Sequence, residues 1–135
     1  MHPKFKKADC LSKKVIGAAI AVHKIMGPGL IESIYQKCLM RELQLLGIAC
    51  CSEVRIPLQY KGAIFDERLR MDIYVEDCLI VELKTVEVIM PIHKAKILTY
   101  MKLIDVPLGL LINFHSILLR NGISRLILVG ADAPK

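Results

Sequence analysis

The sequence has no apolar segment long enough to cross a lipid bilayer, although 54% of its 135 residues are hydrophobic. The longest largely apolar stretch, 108–114 (LGLLINF), has the length of a β-strand and not the roughly 20 residues of a membrane-spanning helix. His23 and Lys24 interrupt the other apolar segment, 15–26. The basic N-terminus is followed by polar residues and not by the apolar core of a secretory signal. We therefore expect a cytoplasmic protein without a membrane partner.

The cysteines lack the spacing of a disulfide framework or a zinc site. There are five of them, an odd number, and no two have the C-x-x-C spacing. Cys38 and Cys78 lie on apolar faces and are interpreted as small core residues. No internal repeat, low-complexity segment or linker divides the chain. We expect a single domain over residues 1–135, with 1–10 as a basic N-terminal extension.

Charge and apolar content indicate two kinds of partner. Nineteen basic against 13 acidic residues give a net charge of +6, which weakly favours a polyanion such as nucleic acid. So much apolar content in a short chain suggests that a second copy covers part of it, so we expect a homodimer.

Periodicity and turn residues predict two helices followed by a meander of strands. The first helix covers 11–26, with Ser12 as its cap, and Gly27-Pro28-Gly29 ends it. The second covers 30–46. Predicted strands are 48–60, with an edge or bulge at Pro57, then 64–75, 79–86 and 107–114, with a helix from Pro91 to about 104 before the last of these. Two further strands, 117–119 and 124–129, would be joined through Asn121-Gly122.

Two charged residues follow the apolar run 78–81 within the third strand. Glu82 and Lys84 share one face of that strand and Leu83 lies on the other, because side chains alternate with a period of two. Burying a charge is costly unless it is paired or bound to a metal. This pattern indicates either a surface ion pair at a strand end or a functional site.

The turn before this strand decides which residue faces Glu82. A two-residue turn would place Ile73 opposite Ile80. A three-residue turn, 76–78, places Ile73 opposite Val81 and extends one apolar face to Met71 opposite Leu83, so we favour it. Asp72 then lies directly opposite Glu82, with side chains about 5 Å apart.

Adjacent carboxylates repel each other unless a cation lies between them. Carboxylates and backbone carbonyls are ligands for Mg²⁺, and Lys84, about 7 Å along the same face, is placed to stabilise negative charge on a phosphate. The alternative is that Asp72 is an edge-strand charge and that the E-x-K sequence is a surface pair.

Asp72 and Glu82-Leu83-Lys84 resemble the signature of the PD-(D/E)XK nuclease superfamily. The segment 29–35 (GLIESIY) resembles its GxxExxY family, and other segments match that family in the same order from about Val15 to Val129. The resemblance implies an α/β fold with a restriction-endonuclease-like αβββαβ core, in which helices flank a mixed central sheet. It also implies hydrolysis of nucleic-acid phosphodiester bonds by water activated on Mg²⁺ (or Mn²⁺), with DNA expected in preference to RNA.

The resemblance also implies roles for individual residues. Asp72, Glu82 and the Leu83 carbonyl would be metal ligands, and Lys84 would be the catalytic lysine. Glu32, from the first core helix, would be a further catalytic acid, although an acid in a first helical turn is also favoured by the helix dipole.

Several further residues are candidates for supporting the site or binding nucleic acid. Tyr35 either orients Glu32 through its hydroxyl or packs in the core, and His23 either supports the site from behind or is structural. His93, Lys96 and Tyr100 share one face of the third helix, with Lys96 where the family usually has glutamine. Lys96 either attracts phosphate or pairs with Glu82 and displaces metal. The alternative function is therefore a catalytically inactive nucleic-acid-binding or scaffolding homo-oligomer that retains the nuclease fold.

Overall fold

The computed structural model describes residues 1–134, except for the side chains of 66–69. Two helices come first and a β-meander follows them, as the sequence predicts. The elements are α1 (Phe5–Met26), α2 (Glu32–Leu45), β1 (Cys50–Tyr60), β2 (Ala63–Val75), β3 (Leu79–Lys84), α3 (Pro91–Ile104), β4 (Leu108–Asn113), a 3₁₀-helix (Leu119–Gly122) and β5 (Ile123–Ile127).

The five strands form one mixed sheet in the order β1-β2-β3-β4-β5. Strands β3 and β4 are parallel, and the other neighbours are antiparallel. Helix α3 connects β3 to β4, because parallel neighbours need a crossover connection. The predicted αβββαβ order, with helices flanking a mixed sheet, is confirmed.

Helices pack on both faces of the sheet and divide the core in two. One cluster joins α1 and α2 to the first face and includes Val15, Tyr35 and Leu39 together with Val81 and Leu83 of β3. The other joins α3 to the opposite face and contains Ile97, Tyr100 and Met101 packed with Ile80 and Leu111. Because side chains alternate along β3, Glu82 and Lys84 lie on the α3 side of the sheet, as Ile80 does.

The predicted register of β2 and β3 is confirmed over its first three pairs. Val75 pairs with Leu79 and Ile73 pairs with Val81, so the turn between the strands is 76–78. The bulge at Pro57 is also confirmed, because the β1–β2 register shifts between Pro57 and Leu58.

The apolar face of β2 was predicted to continue to Met71, and this is wrong. Met71 packs in the α3-side cluster, whereas Ile73 packs on the α1–α2 side. The change of face occurs beside Glu53 of β1, whose φ of 56° is left-handed, between the pairs Ser52↔Ile73 and Val54↔Met71.

The termini differ from the sequence-based expectations. Helix α1 begins at Phe5, inside the expected basic extension, and the His2 amide donates to the Ala131 carbonyl at 2.7 Å. Ser12 is not a cap, because it lies inside the helix and its hydroxyl donates to the Asp9 carbonyl at 2.7 Å.

The hairpin predicted through Asn121-Gly122 is wrong. These residues lie in the 3₁₀-helix, where Gly122 is buried against the Asn113 carbonyl and Ser116, and only β5 follows, paired with β4. Strand β3 ends at Lys84 and not at 86, because the Asn113 side chain takes up the backbone hydrogen bonds of Val86.

All five cysteines are free thiols, with Cys78 buried and Cys38 packed against the core as expected. None of the helices within residues 1–134 combines the length and the apolar character needed to cross a membrane.

Candidate active site

Strands β2 and β3 separate at Asp72 and Glu82, and the two side chains bridge the gap. The last backbone pair is Ile73↔Val81. Beyond it, the Asp72 amide donates to Oε1 of Glu82 at 3.0 Å, and the Leu83 amide donates to Oδ2 of Asp72 at 2.9 Å. Each of these bonds uses one oxygen of the carboxylate. The two acids that the sequence places opposite each other are therefore adjacent in the structure.

The Leu83 carbonyl faces the same gap. The Lys84 carbonyl accepts a hydrogen bond from the Phe114 amide at 2.9 Å, so it points toward β4. Backbone groups of successive residues in a strand point to opposite sides, and the N–H and C=O of one residue point to the same side. The Leu83 carbonyl therefore points toward β2, as its amide does, and adds a third oxygen beside Asp72 and Glu82.

Glu82 is buried, with 3% of its surface exposed. Burial and the negative charge of Asp72 raise the pKa of Glu82 to about 8. The Asp72 amide and the charge of Lys96 lower this pKa, but they do not cancel the increase. Burial and Asp72 thus disfavour the ionised form of Glu82, and a nearby cation would stabilise that form.

Glu32 joins these acids from the first residue of α2. It is half-buried, and burial raises its pKa, followed by the charge of Asp72 and a side-chain hydrogen bond with Asp72. The charges of Lys84 and Lys96 act in the opposite direction. We call Glu32, Asp72 and Glu82 the acidic cluster.

Two lysines lie within electrostatic reach of the acidic cluster. Lys84 is half-buried on the α3 side of β3. Lys96 is exposed on α3, and its Nζ lies 5.4 Å from the centroid of the Tyr100 ring. The structure therefore brings together Glu32, Asp72, Glu82, Lys84 and Lys96, which are separated by up to 64 positions in the sequence.

Tyr35 is fully buried and does not bond to Glu32. Its hydroxyl donates to the Gly27 carbonyl at 2.5 Å and accepts from the Leu30 amide at 3.1 Å. Its ring stacks on Phe114, with centroids 4.4 Å apart. Of the two expected roles, the structure places Tyr35 in the core, where it fixes the turn from which α2 and Glu32 begin.

The three remaining candidates make structural contacts. Nε2 of His23 lies 2.8 Å from the Ser116 carbonyl, which ties α1 to the segment after β4. Nδ1 of His93 accepts from the Met90 amide at 3.0 Å and so closes the first turn of α3. Tyr100 is buried in the α3-side cluster. None of these hydrogen bonds involves the acidic cluster.

Asn113 is a buried polar residue that sequence reasoning missed. Its Oδ1 accepts from the amides of Val86 and His115, and its Nδ2 donates to the Val86 carbonyl at 2.8 Å. Asn113 pairs with Lys84 in the β3–β4 register. Its side chain therefore fixes the backbone at Val86, where the chain leaves the site. An asparagine inside the run LGLLINF was the available signal, since a buried amide needs partners.

The site contains the kind of oxygen atoms that a hard divalent cation prefers as ligands. Within the described part of the chain, no group of three or more His, Cys, Asp or Glu side chains is arranged to hold a metal by itself. The candidate donors are two carboxylates and one carbonyl, with Glu32 nearby. This oxygen set fits Mg²⁺ or Mn²⁺, since Mg²⁺ usually binds one or two carboxylates and keeps several waters.

The comparison with protein families agrees with this geometry. A family model described as PD-(D/E)XK nuclease superfamily matches residues 9–126, a span that contains the acidic cluster and both lysines. No curated protein and no solved structure is significantly similar to the chain. On the strength of the family match, the chain belongs to the PD-(D/E)XK nuclease superfamily.

Proposed function

We propose that this protein is a metal-dependent nuclease that hydrolyses phosphodiester bonds in nucleic acid. The observation that carries the proposal is the gap between β2 and β3, which the carboxylates of Asp72 and Glu82 bridge by hydrogen bonds to backbone amides and which the Leu83 carbonyl faces. These three groups would hold Mg²⁺ or Mn²⁺. A bound divalent cation supplies charge stabilisation at phosphate oxygens and lowers the pKa of a coordinated water.

The residues around the gap have separate roles in this proposal. Asp72 and Glu82 hold the cation and keep the strands apart. Lys84 places its ammonium on the same side of β3 as Glu82, where it stabilises the negative charge that develops on the phosphate. Glu32 adds a further carboxyl group beside Asp72, and because burial and Asp72 raise its pKa, its carboxylate is suited to accept a proton from water.

We also propose the narrower family, the domain organisation, the substrate and the oligomeric state of this protein. We infer membership of the GxxExxY family from the segment 29–35, in which Glu32 and Tyr35 occupy the family positions. We also propose a single domain over residues 1–135, DNA in preference to RNA as the substrate, and a cytoplasmic homodimer. Exposed apolar side chains such as Ile25, Leu45 and Ile117 are available for the dimer contact.

A second candidate function is nucleic-acid binding or scaffolding without hydrolysis. Lys96 favours it, because an ammonium that attracts Glu32 and Glu82 opposes the binding of a metal between the acids. The net charge of +6 suits a polyanion in either case. This candidate predicts salt-sensitive binding without turnover.

Cleavage assays distinguish the two candidates. The purified protein is incubated with plasmid DNA, single-stranded DNA and RNA in Mg²⁺, in Mn²⁺ and in EDTA. We expect cleavage only with metal, and a loss of about 100-fold or more in Asp72→Asn and Lys84→Ala, because each removes a charged group from the site. Lys102→Ala, an exposed lysine near the end of α3, is the control and should cut as the unmodified protein does.

Two results would count against hydrolysis. If Asp72→Asn and Lys84→Ala cleave as fast as the unmodified protein, the activity comes from a contaminating nuclease. Binding of DNA that weakens steeply with salt, with no cleavage under any metal condition, supports the second candidate.

A further inference from the structure

We propose that the part of the β1–β2 hairpin that extends past the acidic cluster enters the major groove of double-stranded DNA. We call this part of the hairpin, residues 54–71, the arm. The inference rests on the proposed function and deepens it, because it names duplex DNA as the substrate and the arm as the element that holds it. Binding by the arm can be tested without metal and without cleavage.

The arm is a two-stranded ribbon that leaves the body of the sheet. Strand β2 pairs with β3 only at 73–75, whereas it remains paired with β1 to the end of the arm. The extended strand 54–60 spans roughly 20 Å, at about 3.3 Å per residue. Between Ile56 and Met71, none of the described side chains of the arm belongs to either core cluster. The arm therefore begins beside the acidic cluster and ends in solvent.

One face of the arm is apolar and lies on the same side of the sheet as Glu82. Leu58 and Tyr60 follow Ile56 with a period of two, and Ile56 packs in the α3-side cluster. Phe65 pairs with Leu58 and so shares its face. Tyr60 is 54% exposed and Phe65 is 43% exposed. The arm therefore presents two exposed aromatic residues on the side of the sheet where the acidic cluster has Glu82.

The arm carries cations on its opposite face and at its tip. Arg55 is exposed on the opposite face, and Lys61 lies in the turn, with its Nζ 5.4 Å from the centroid of the Tyr60 ring. Among the described side chains, Arg55 and Lys61 make no ion pair, whereas Arg70 pairs with Glu53 at 2.8 Å. The arm contains four basic and two acidic residues. This charge favours a polyanion over the arm of a second copy, because two such arms would repel each other.

A ribbon of this kind fits the major groove of B-form DNA. That groove is about 12 Å wide and about 8.5 Å deep, and it admits a two-stranded β-ribbon. With the aromatic face toward the base edges, the opposite face lies near the rims of the groove, where Arg55 and Lys61 reach phosphates. The arm then contacts the duplex up to about six base pairs from the cleaved bond. The major groove of duplex RNA is too deep and narrow for such contacts, so the arm gives the proposed preference for DNA a physical basis.

Fluorescence anisotropy in EDTA tests the arm without cleavage. A short labelled DNA duplex is titrated with the unmodified protein and with Arg55→Gln/Lys61→Gln over a range of salt concentrations. We expect the double variant to bind roughly 5- to 20-fold more weakly, and the slope of log affinity against log salt to fall by about 1–2, because two phosphate contacts are lost. The matched control is Lys13→Gln/Lys102→Gln, which removes the same charge from exposed positions outside the arm. It should change binding by less than about twofold, since more distant charges are screened.

The aromatic residues and an RNA duplex test where the arm binds. Tyr60→Ser/Phe65→Ser should weaken binding of the DNA duplex about fivefold or more without changing the salt slope, because base contacts release no counter-ions. Its binding of an RNA duplex of the same sequence should stay within about twofold of that of the unmodified protein. Both arm variants alter exposed residues, so their Tm values should equal that of the unmodified protein.

Four outcomes would overturn the inference. If the unmodified protein does not bind the DNA duplex in EDTA at low salt, or if both arm variants bind it as tightly as the control variant does, the arm does not hold DNA. If Tyr60→Ser/Phe65→Ser weakens binding of the DNA and RNA duplexes equally, the arm does not enter the major groove. If sedimentation shows a dimer for the unmodified protein and a monomer for this variant, the apolar face is a contact between copies.

Failure of the arm and failure of the proposed function give different results. Metal-dependent cleavage by a protein whose arm variants bind normally supports the nuclease and removes the arm. Loss of binding in the arm variants of a protein that cleaves nothing supports the arm and removes the nuclease.

Discussion

Asp72 and Glu82 hold each other in place: the backbone amide of Asp72 donates to the Glu82 carboxylate, and the Asp72 carboxylate accepts from the residue after Glu82. Each acid therefore has two roles, since its hydrogen bond fixes the separation of β2 and β3 and its charge lies at the gap between them. Because these roles share one side chain, a substitution that preserves the hydrogen bond but removes the charge can separate stability from metal binding.

Glu82→Gln should remove a pH dependence from the stability of the metal-free protein. Because the pKa of Glu82 is raised from 4.5 to about 8, the folded state keeps a proton that the unfolded state releases between these values. The contribution of Glu82 to the free energy of unfolding is therefore greatest below about pH 4.5. It decreases by on the order of a few kcal/mol as the pH rises to about 8. Glutamine keeps an oxygen for the Asp72 amide and has no proton to lose.

Urea unfolding of both proteins in EDTA, at intervals from pH 4.5 to 9, measures the difference. The stability gap should grow in favour of the variant up to about pH 8 and then remain constant. If the stabilities of the two proteins instead follow parallel curves over this pH range, burial and Asp72 do not raise the pKa of Glu82.

The affinity for Mn²⁺ should increase with pH for the same reason. Below about pH 8 the cation has to compete with the proton on Glu82. Loss of one proton on binding predicts an increase of about tenfold in affinity per pH unit, levelling off above that value. Titration calorimetry in buffers of different ionisation enthalpy counts the released protons, and a pH-independent affinity without proton release contradicts the prediction.

Much of the site could be predicted from the sequence because it depends on the short-range geometry of one hairpin. The period of two along a strand and the apolar pairing of Ile73 with Val81 were enough to place Asp72 beside Glu82. The helix α3 also began at Pro91, as predicted. These features depend on neighbouring residues whose physical preferences agree with the fold.

The features that could not be predicted depend on tertiary contacts. The left-handed backbone at Glu53, beside which the face of β2 changes, has no glycine or asparagine to indicate it. The strong turn signal of Asn121-Gly122 was overridden because Gly122 is needed where the chain passes against Asn113. Similarly, the hydroxyl of Tyr35 was expected to serve either Glu32 or the core, and only the folded chain brings it to Gly27.

Tyr35→Phe should destabilise the protein by about 1–2 kcal/mol. The substitution removes the hydrogen bonds to Gly27 and Leu30 but keeps the ring that stacks on Phe114. Because these bonds fix the turn before α2, cleavage should also fall more than stability alone explains. Tyr60→Phe, on an exposed tyrosine, is the control for stability. If the two variants unfold at the same denaturant concentration as the unmodified protein, the Tyr35 hydroxyl has no such role.

Asn113→Ala should cost about 2–4 kcal/mol of stability and reduce cleavage. The buried amide of Asn113 satisfies both backbone groups of Val86 and the amide of His115, and alanine leaves all three without a partner. Val86 lies two residues after Lys84, so the chain leaving the site should loosen. Denaturant unfolding and amide hydrogen exchange at 85–87 measure the two effects, with the exposed Asn121→Ala as control. Unchanged exchange at these amides would contradict the proposed role.

Gly109→Ala and Gly17→Ala should change stability in opposite directions. A Cβ on Gly109 would lie 2.9 Å from Cγ2 of Ile97 and 2.9 Å from Sδ of Met101, both of which hold α3 against the sheet. Since real Cβ atoms do not approach so closely, the side chains of Ile97 and Met101 have to move, at a cost of about 1–3 kcal/mol. Gly17 lies inside α1 with nothing within 4 Å of the added atom. Alanine there should gain about 1 kcal/mol, because it is the better helix former.

The pair also tests how α3 controls the site. If Gly109→Ala moves α3, it moves Lys96 as well, and the Mn²⁺ affinity should change although no ligand has been altered. Gly17→Ala should leave that affinity unchanged, because α1 carries no member of the acidic cluster. If Gly109→Ala is as stable as Gly17→Ala, the sheet can accommodate a methyl group under α3. A shift of the helix would then not explain a change in metal binding.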